Sequence, residues 1–300
     1  MKIIITGATG FVGKTMIPFL YEKGINELCL LIRNTEKAQS LFGNLSINYI
    51  NVQNQDWREK VIEYDPDIVI HLATLFNTHN DAENAAKIIQ SNLLFSTLLL
   101  EAISHTKCTC FINIGTFTEF LYGAGEYFAN NLYSATKTAL RPIIQFYQTQ
   151  SSWKWINIVV YSPYGRKNQQ KKVLDFMIDA MDSVTPVNFT KGEQILDFIH
   201  VDDIADFFYT LLNNLFVFKD LYTQLHLGTG KGHSLREAGN LMEEVFHKKI
   251  NAYWGGLPYR QNETMYAIAP IAKNLELLNW RAKISLQQGL DILKEELLVS

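Results

Sequence analysis

Cysteine is scarce in this chain: Cys29, Cys108 and Cys110 are the only three in 300 residues, and no two form a Cys-x-x-Cys pair. That excludes a disulfide scaffold and gives no usual zinc spacing, so the thiols read as buried residues of apolar, strand-like runs in a reducing cytosol. Charge is sparse too. With 27 Lys+Arg against 30 Asp+Glu, a net charge of −3 and only 19% charged residues, no basic surface for nucleic acid is expected. Seven prolines and 17 glycines are too few for a collagen-like or disordered chain. Long hydrophobic runs are missing: the most apolar helical stretch, 92–103, is broken by Ser96, Thr97 and Glu101 and falls short of a membrane span. Residues 1–10 lack the apolar core of a signal peptide. The expectation is a cytoplasmic globular protein with no membrane segment.

What the chain does have is rhythm. Short apolar runs at 2–5, 28–32, 47–52, 68–71, 110–114 and 156–160 alternate with segments of helical spacing, as βαβ units of a parallel sheet require. The runs are apolar throughout, which suits strands covered on both faces. After about residue 165 the regularity breaks at a polar, basic run, 166–172. The expected architecture is therefore α/β: a doubly wound parallel sheet over 1–165, with 195–215 returning to it, and a smaller α/β lobe over 166–300.

The first chemical signal is Gly7, Gly10 and Gly13, spaced by threes between the first strand and an amphipathic helix. The first glycine permits a sharp exit from the strand, the second lets a diphosphate approach the backbone, and the third lets helix and strand pack closely. The helix N-terminus adds free N–H groups and a positive dipole end. Gly7, Thr9, Gly10, Phe11, Val12 and Gly13 thus form a candidate dinucleotide site on a Rossmann-type sheet. The second strand ends in Arg33-Asn34, with Lys37 beyond, where a carboxylate would hold the ribose diol of NAD. Arg33 points instead to the 2′-phosphate of NADP(H), and NAD(H) is the less favoured cofactor.

The second signal is Tyr133 and Lys137, four apart in a helical pattern over 130–150 and so on one face. A phenol titrates near pKa ~10, so it serves acid–base chemistry at neutral pH only with a cation beside it. Lys137 is placed to lower that pKa and to hold ribose hydroxyls. Tyr-x-x-x-Lys alone is commonly a surface pair; next to a dinucleotide motif it reads as catalytic. A strand near 110–116 runs into a loop in which Thr116 or Thr118 can present a hydroxyl. Among the histidines, His71 ends a strand in a structural setting, while His79, His200, His226 and His233 share no ligand spacing, and no metal is expected.

At these residues the chain resembles the extended short-chain dehydrogenase/reductases, which include nucleotide-sugar epimerases, dehydratases and reductases. The likeness also takes in His71-Leu72-Ala73-Thr74, Asn92, Tyr161-Ser162-Pro163-Tyr164-Gly165, residues 192–203 and Leu227-Gly228-Thr229-Gly230. It implies cofactor contacts at Leu72, Ala73 and Asn92 and substrate contacts at Thr74, Thr118, Glu119, Ser162 and Arg260. It also places the catalytic hydroxyl on Thr118, by its distance from Tyr122-Gly123. Residues 192–203, 227–232 and 260–265 resemble most the CDP-abequose and CDP-paratose synthases. That implies an NADPH-dependent reduction of a CDP- or dTDP-linked 4-keto-6-deoxy sugar for surface polysaccharide such as lipopolysaccharide. The helices at 81–105 and 130–150 are, by the same likeness, expected to pair two subunits through a four-helix bundle.

Departures from the family pattern matter. Leu196 stands where an Arg commonly meets the nucleotide diphosphate, so that role passes to Arg260 with help from Lys167 or Lys171; Ser162 replaces an Asn, and Arg166 a Pro. Resembling dehydratases carry two carboxylates after the Thr, whereas Glu119 is followed by Phe120. Glu119 is then a spectator or a spare acid. The alternatives to a reductase are an epimerase or 4,6-dehydratase with bound NAD, and a non-catalytic NADP(H)-binding regulator.

Overall fold

The computed structural model describes residues 1–77, 81–165 and 171–299. The apolar runs form β1 (Ile3–Thr6), β2 (Leu28–Ile32), β3 (Asn48–Asn51), β4 (Ile68–His71), β5 (Cys110–Thr116) and β6 (Lys154–Val160). Between them run α1 (Phe11–Glu22), α2 (Thr35–Phe42), α3 (Trp57–Tyr64), α4 (Ala82–Ile89), α5 (Phe95–Ile103) and α6 (Leu132–Gln150). Then follow β7 (Ser162–Tyr164), α7 (Val173–Met181), β8 (Val187–Phe189), β9 (Ile195–Leu196), β10 (Phe198–His200), α8 (Val201–Asn213) and β11 (Tyr222–Leu227). The chain closes with β12 (His233–Ser234), α9 (Leu235–Phe246), β13 (Ala252–Trp254), β14 (Tyr266–Ala267), α10 (Ala272–Leu278) and α11 (Leu286–Val299).

The large sheet has seven parallel strands in the order β11-β6-β5-β4-β1-β2-β3. Strand order reverses between β1 and β4, and it is outside the carboxyl ends of such a pair that a doubly wound sheet leaves a crevice. Alternation along β1 divides the core. Ile3 and Ile5 pack with Met16, Ile17 and Leu20 of α1 and with Ile204, Phe207 and Leu211 of α8. Ile4 faces the other way, toward Leu99 and Ile103 of α5 and Leu140 and Ile144 of α6. A separate core joins α7, α9 and α11 through Met177, Met242 and Leu290. Phe120, Val159, Tyr161, Ala267 and Ala269 close the seam between the large sheet and the smaller lobe.

The α/β architecture is as expected, but four readings need correction. The return to the large sheet does not stop at 215: after α8, the chain adds β11 at the sheet's edge. Its side chains alternate in burial, and an edge strand of that kind does not show the unbroken apolar run by which the others were found. The helix at 81–105 is not uniform, because Gln90–Leu94 form a π-helical turn between α4 and α5. Taken together, Ala82–Ile103 is a 22-residue helix, apolar enough by composition to cross a membrane, although Leu99, Leu100, Ala102 and Ile103 are buried against the sheet. Cys108, finally, is buried but lies outside β5, whereas Cys29 and Cys110 are in strands.

Candidate active site

The glycine turn shows how sequence sets shape. Gly7 has φ +68°, and a Cβ there would lie 2.6 Å from the Ala73 amide nitrogen and 2.7 Å from the Leu72 carbonyl carbon. The exits of β1 and β4 touch at this point, which only glycine allows. A Cβ at Gly13 would lie 2.2 Å from the Ala8 carbonyl oxygen, so this glycine seats α1 against the turn. Gly10 differs: it is the N-cap of α1 and exposed, and among the described residues a Cβ there would meet only the Gly7 oxygen at 3.0 Å. Among those residues no side chain caps the first turn of α1, and the space above this helix N-terminus forms a cradle that fits a diphosphate. Thr9, Phe11 and Val12 border it, half-buried.

Below the turn, His71 is fully buried, with Nδ1 2.8 Å from Thr6 Oγ1 and Nε2 2.8 Å from Ser96 Oγ. Ser96 gives its proton to the Asn92 carbonyl, so the His71 Nε2–H donates to Ser96 and Thr6 donates to Nδ1. Thr6 Oγ1 in turn accepts from the Ala73 N–H at 3.0 Å. Burial, reinforced by the Lys137 charge, lowers the His71 pKa to about 3, which keeps the ring a neutral brace. Asn92, in the π-turn, accepts from the Leu75 N–H (2.7 Å) and donates to the Leu75 carbonyl and to Thr136 Oγ1 (both 3.1 Å). Its amide thus ties the loop carrying Leu72, Ala73 and Thr74 to α6.

The α6 N-terminus carries Tyr133 and Lys137, the candidate acid–base pair. Asn131 caps it, its Oδ1 accepting from the Ser134 N–H (2.8 Å) and hydroxyl (3.0 Å). Lys137 is buried with its ammonium 6.0 Å from the centroid of the Tyr133 ring, and Phe76 meets that ring edge-on at 5.0 Å. Thr118 Oγ1 lies 2.6 Å from Ser134 Oγ and 2.9 Å from Thr116 Oγ1. Ser134, the residue next to Tyr133, is thus joined to Thr118, and this hydroxyl was missed although it lies inside the motif.

Electrostatics runs against one expectation. Burial pushes the Tyr133 phenol above its ordinary value and the Glu119 carboxylate pushes it further; the Thr74 hydroxyl beside it works the other way. Lys137 is shifted as well. Its own pKa falls to about 8, through burial first, with Glu119 raising and Arg141 lowering it. Tyr133 is accordingly a protonated donor at neutral pH. Thr74 Oγ1 is buried and, among the described residues, makes no hydrogen bond in good geometry, an orphaned polar atom of the kind a bound oxygen satisfies.

Glu119 corrects another expectation. It is fully buried, and its Oε1 accepts from the Thr116 N–H at 2.8 Å while Oε2 accepts from Arg141 Nε at 2.8 Å. Thr116 and Glu119 form a capping box around a single 3₁₀ turn. The carboxylate faces into the protein, so neither a substrate contact nor a spare acid is supplied by it. Arg141 was missed, though Tyr133, Lys137 and Arg141 are each four apart and share a helix face.

The outlying candidates are more scattered. Arg33 is exposed at the end of β2, and Asn34 caps α2 by accepting from the Lys37 N–H at 2.8 Å. Lys14, in α1, has its pKa lowered by burial and by the Lys37 charge, which brings α1 and α2 cations near each other. Ser162 is half-buried in β7, paired with Phe198. Arg260 is exposed between β13 and β14, with no contact that links its guanidinium to Tyr133 among the described residues. Lys171 pairs with Asp179, while Arg166, Lys167 and His79 lie outside the described residues. Lys172, not anticipated, donates to the Pro163 carbonyl (2.9 Å) and rests 5.0 Å from the Phe11 ring centroid. Asp197 is wholly buried under the Gly228-Thr229-Gly230 turn, accepting from the amides of Thr229, Gly230 and Ala269 and from the Thr229 hydroxyl.

Comparison with known proteins agrees with this geometry. Residues 3–220 match the NAD dependent epimerase/dehydratase family. A CDP-abequose synthase from Yersinia pseudotuberculosis is 28% identical over 265 residues, spanning 88% of this chain and 91% of that protein. A UDP-glucose 4-epimerase from Pisum sativum is 25% identical, spanning 96% and 93%. Among solved structures, the UDP-glucuronic acid 4-epimerase from Bacillus cereus in complex with UDP-glucuronic acid and NAD superposes with TM-score 0.87 at 22% identity, covering 100% of this chain and 99% of that one.

Proposed function

The chain belongs to the NAD dependent epimerase/dehydratase family and is an NAD(P)-dependent enzyme of the extended short-chain dehydrogenase/reductase type, and from that premise we propose that it reduces a nucleotide-activated 4-keto-6-deoxy sugar, CDP- or dTDP-linked, with NADPH. The observation that carries this reading is the buried Glu119–Arg141 pair. Elimination of water from a sugar needs an acid and a base beyond the phenol. The one carboxylate next to Thr118 is held inside the protein instead. A reduction needs only a proton donor and an oxygen-binding hydroxyl.

A bound nicotinamide supplies hydride chemistry. The chain's own part is to orient the ketone and protonate its oxygen: Tyr133 gives the proton, Thr118 donates to the same oxygen once the Ser134 hydroxyl turns from Asn131 to donate to Thr118, and Lys137 holds ribose hydroxyls beside the phenol. The preference for NADP(H) rests on Arg33, Lys14 and Lys37 around the second strand's end, where a phosphate monoester meets cations rather than a carboxylate. Likeness to CDP-abequose synthase supports a deoxy-sugar nucleotide and a place in surface-polysaccharide synthesis. Exposed Ile89, Leu94 and Phe146 on α4, the π-turn and α6 support pairing of two copies through these helices.

A second reading, interconversion of a UDP-sugar epimer pair with retained NAD, is favoured by the epimerase relatives and the NAD in their structures. The two separate in one assay. A reductase oxidises NADPH with a CDP- or dTDP-4-keto-6-deoxyhexose, and Tyr133→Phe lowers kcat by ~10²–10⁴-fold without weakening NADPH binding. Conversion of UDP-glucose to UDP-galactose with no NADPH consumption on any keto sugar would replace this reading by the epimerase.

A further inference from the structure

Arg141 stands one helical turn beyond Lys137 and is almost wholly buried. Its guanidinium is held from every side. Nε donates to Glu119 Oε2 (2.8 Å) and Nη1 donates to Gln224 Oε1 (2.9 Å) and toward the Tyr222 hydroxyl (3.4 Å). With the Asn157 amide turned so that its oxygen faces the guanidinium, it accepts from Nη1 and Nη2 at 3.1 and 3.0 Å. The Tyr127 and Phe120 rings lie 5.2 and 5.7 Å from the guanidinium carbon. Gly115 leaves room for the assembly: a Cβ there would stand 2.6 Å from Glu119 Oε1 and 3.2 Å from Arg141 Nη2.

This costly arrangement does no evident work for the core, since a buried ion pair is commonly matched in stability by apolar residues of similar volume. Its position is telling. Glu119 follows Thr118 directly and accepts from the Thr116 N–H, closing the turn that presents the Thr118 hydroxyl to Ser134. Both charges also act on the acid–base pair, Glu119 on Tyr133 and Lys137, Arg141 on Lys137 with the opposite sign.

We infer that Glu119 and Arg141 are positioning residues of the site: the pair clamps the turn that carries Thr118 and balances the charge beside Tyr133 and Lys137. The inference rests on the reading of Tyr133 and Lys137 as the acid–base pair. The other titratable groups facing this region are His71 on β4, which feels Lys137, Tyr127 in the turn after β5, and Tyr222 and His226 on β11, both of which feel Arg141. Removing the carboxylate alone leaves the Arg141 cation uncompensated near Lys137. Removing both charges restores the balance.

The test is a pH titration of the Lys137 ammonium by 15N lysine side-chain NMR on the full chain, assigned with Lys137→Arg. In Glu119→Gln the midpoint is expected to fall below its native value of about 8, and in the double variant Glu119→Gln/Arg141→Gln to return toward it. The pH profile of kcat is expected to shift in the same directions, with KM changing less than kcat. The single variant Arg141→Gln, in which loss of the cation is expected to raise the midpoint, keeps the test open if Glu119→Gln fails to fold. A midpoint identical in the native protein and in both single variants would overturn the inference and leave the pair purely structural. The titration needs no turnover, so absence of NADPH oxidation with every keto sugar would defeat the proposed function alone.

Discussion

Gly7 and Gly10 are three residues apart in one turn, yet alanine should do opposite things at the two sites. At Gly7 it must adopt φ +68°, and its Cβ would press on backbone atoms of Leu72 and Ala73 at 2.6 to 2.8 Å. The left-handed conformation costs ~1–2 kcal/mol, and overpacking against atoms that cannot swing aside adds ~1–3 kcal/mol. The sum, about 2–5 kcal/mol, falls on stability, because β1 and β4 must part to admit the methyl group. At Gly10 the backbone has φ −81° and ψ 179°, open to any residue, and the Cβ meets a single oxygen at 3.0 Å. Stability there should fall by only about 1 kcal/mol, because alanine is a poorer N-cap than glycine. The methyl group instead occupies the space above the α1 N-terminus, and NADPH affinity should fall at least tenfold, which is ~1.4 kcal/mol of binding. Chemical denaturation separates the two effects from NADPH titration followed by cofactor fluorescence. Equal stability of Gly7→Ala and the native chain, or native NADPH affinity in Gly10→Ala, would refute the division of roles.

Two more outcomes can be checked without a substrate. Asp197→Ala strips four donors, three of them backbone N–H groups, of their acceptor; at ~1–3 kcal/mol for each buried unpaired group, urea denaturation should show a loss of several kcal/mol, and a loss under 1 kcal/mol would show that water replaces the carboxylate. Burial lowers His71 to about 3 and His226 to about 4 from an ordinary 6.5. The unfolded chain therefore binds these protons first, so the stability held above pH ~6.5 is lost as pH falls toward each folded value, at up to ~1.4 kcal/mol per unit and per group. Stability measured from pH 7 to 4.5 should decline less steeply in His226→Gln than in the native protein.

The glycine spacing, the βαβ rhythm and the Tyr133/Lys137 pair were legible because each is a local pattern: neighbours in sequence stay neighbours on a turn, a strand or a helix face. β11 was not, since an edge strand has one face near solvent and its residues alternate instead of running apolar. Glu119 is the more instructive case. Thr116-x-x-Glu119 is the sequence signature of a capping box, so the carboxylate's turn-closing bond could be read from four residues. What could not be read is Arg141, 22 residues away, with Gln224 and Tyr222 a further 80 or so along the chain. A carboxylate beside a candidate catalytic hydroxyl looks like an acid until the cation that engages it is seen. Only the fold, by bringing α6 against β5 and β11, turns a candidate catalyst into a brace, and the proposed reduction rests on that brace.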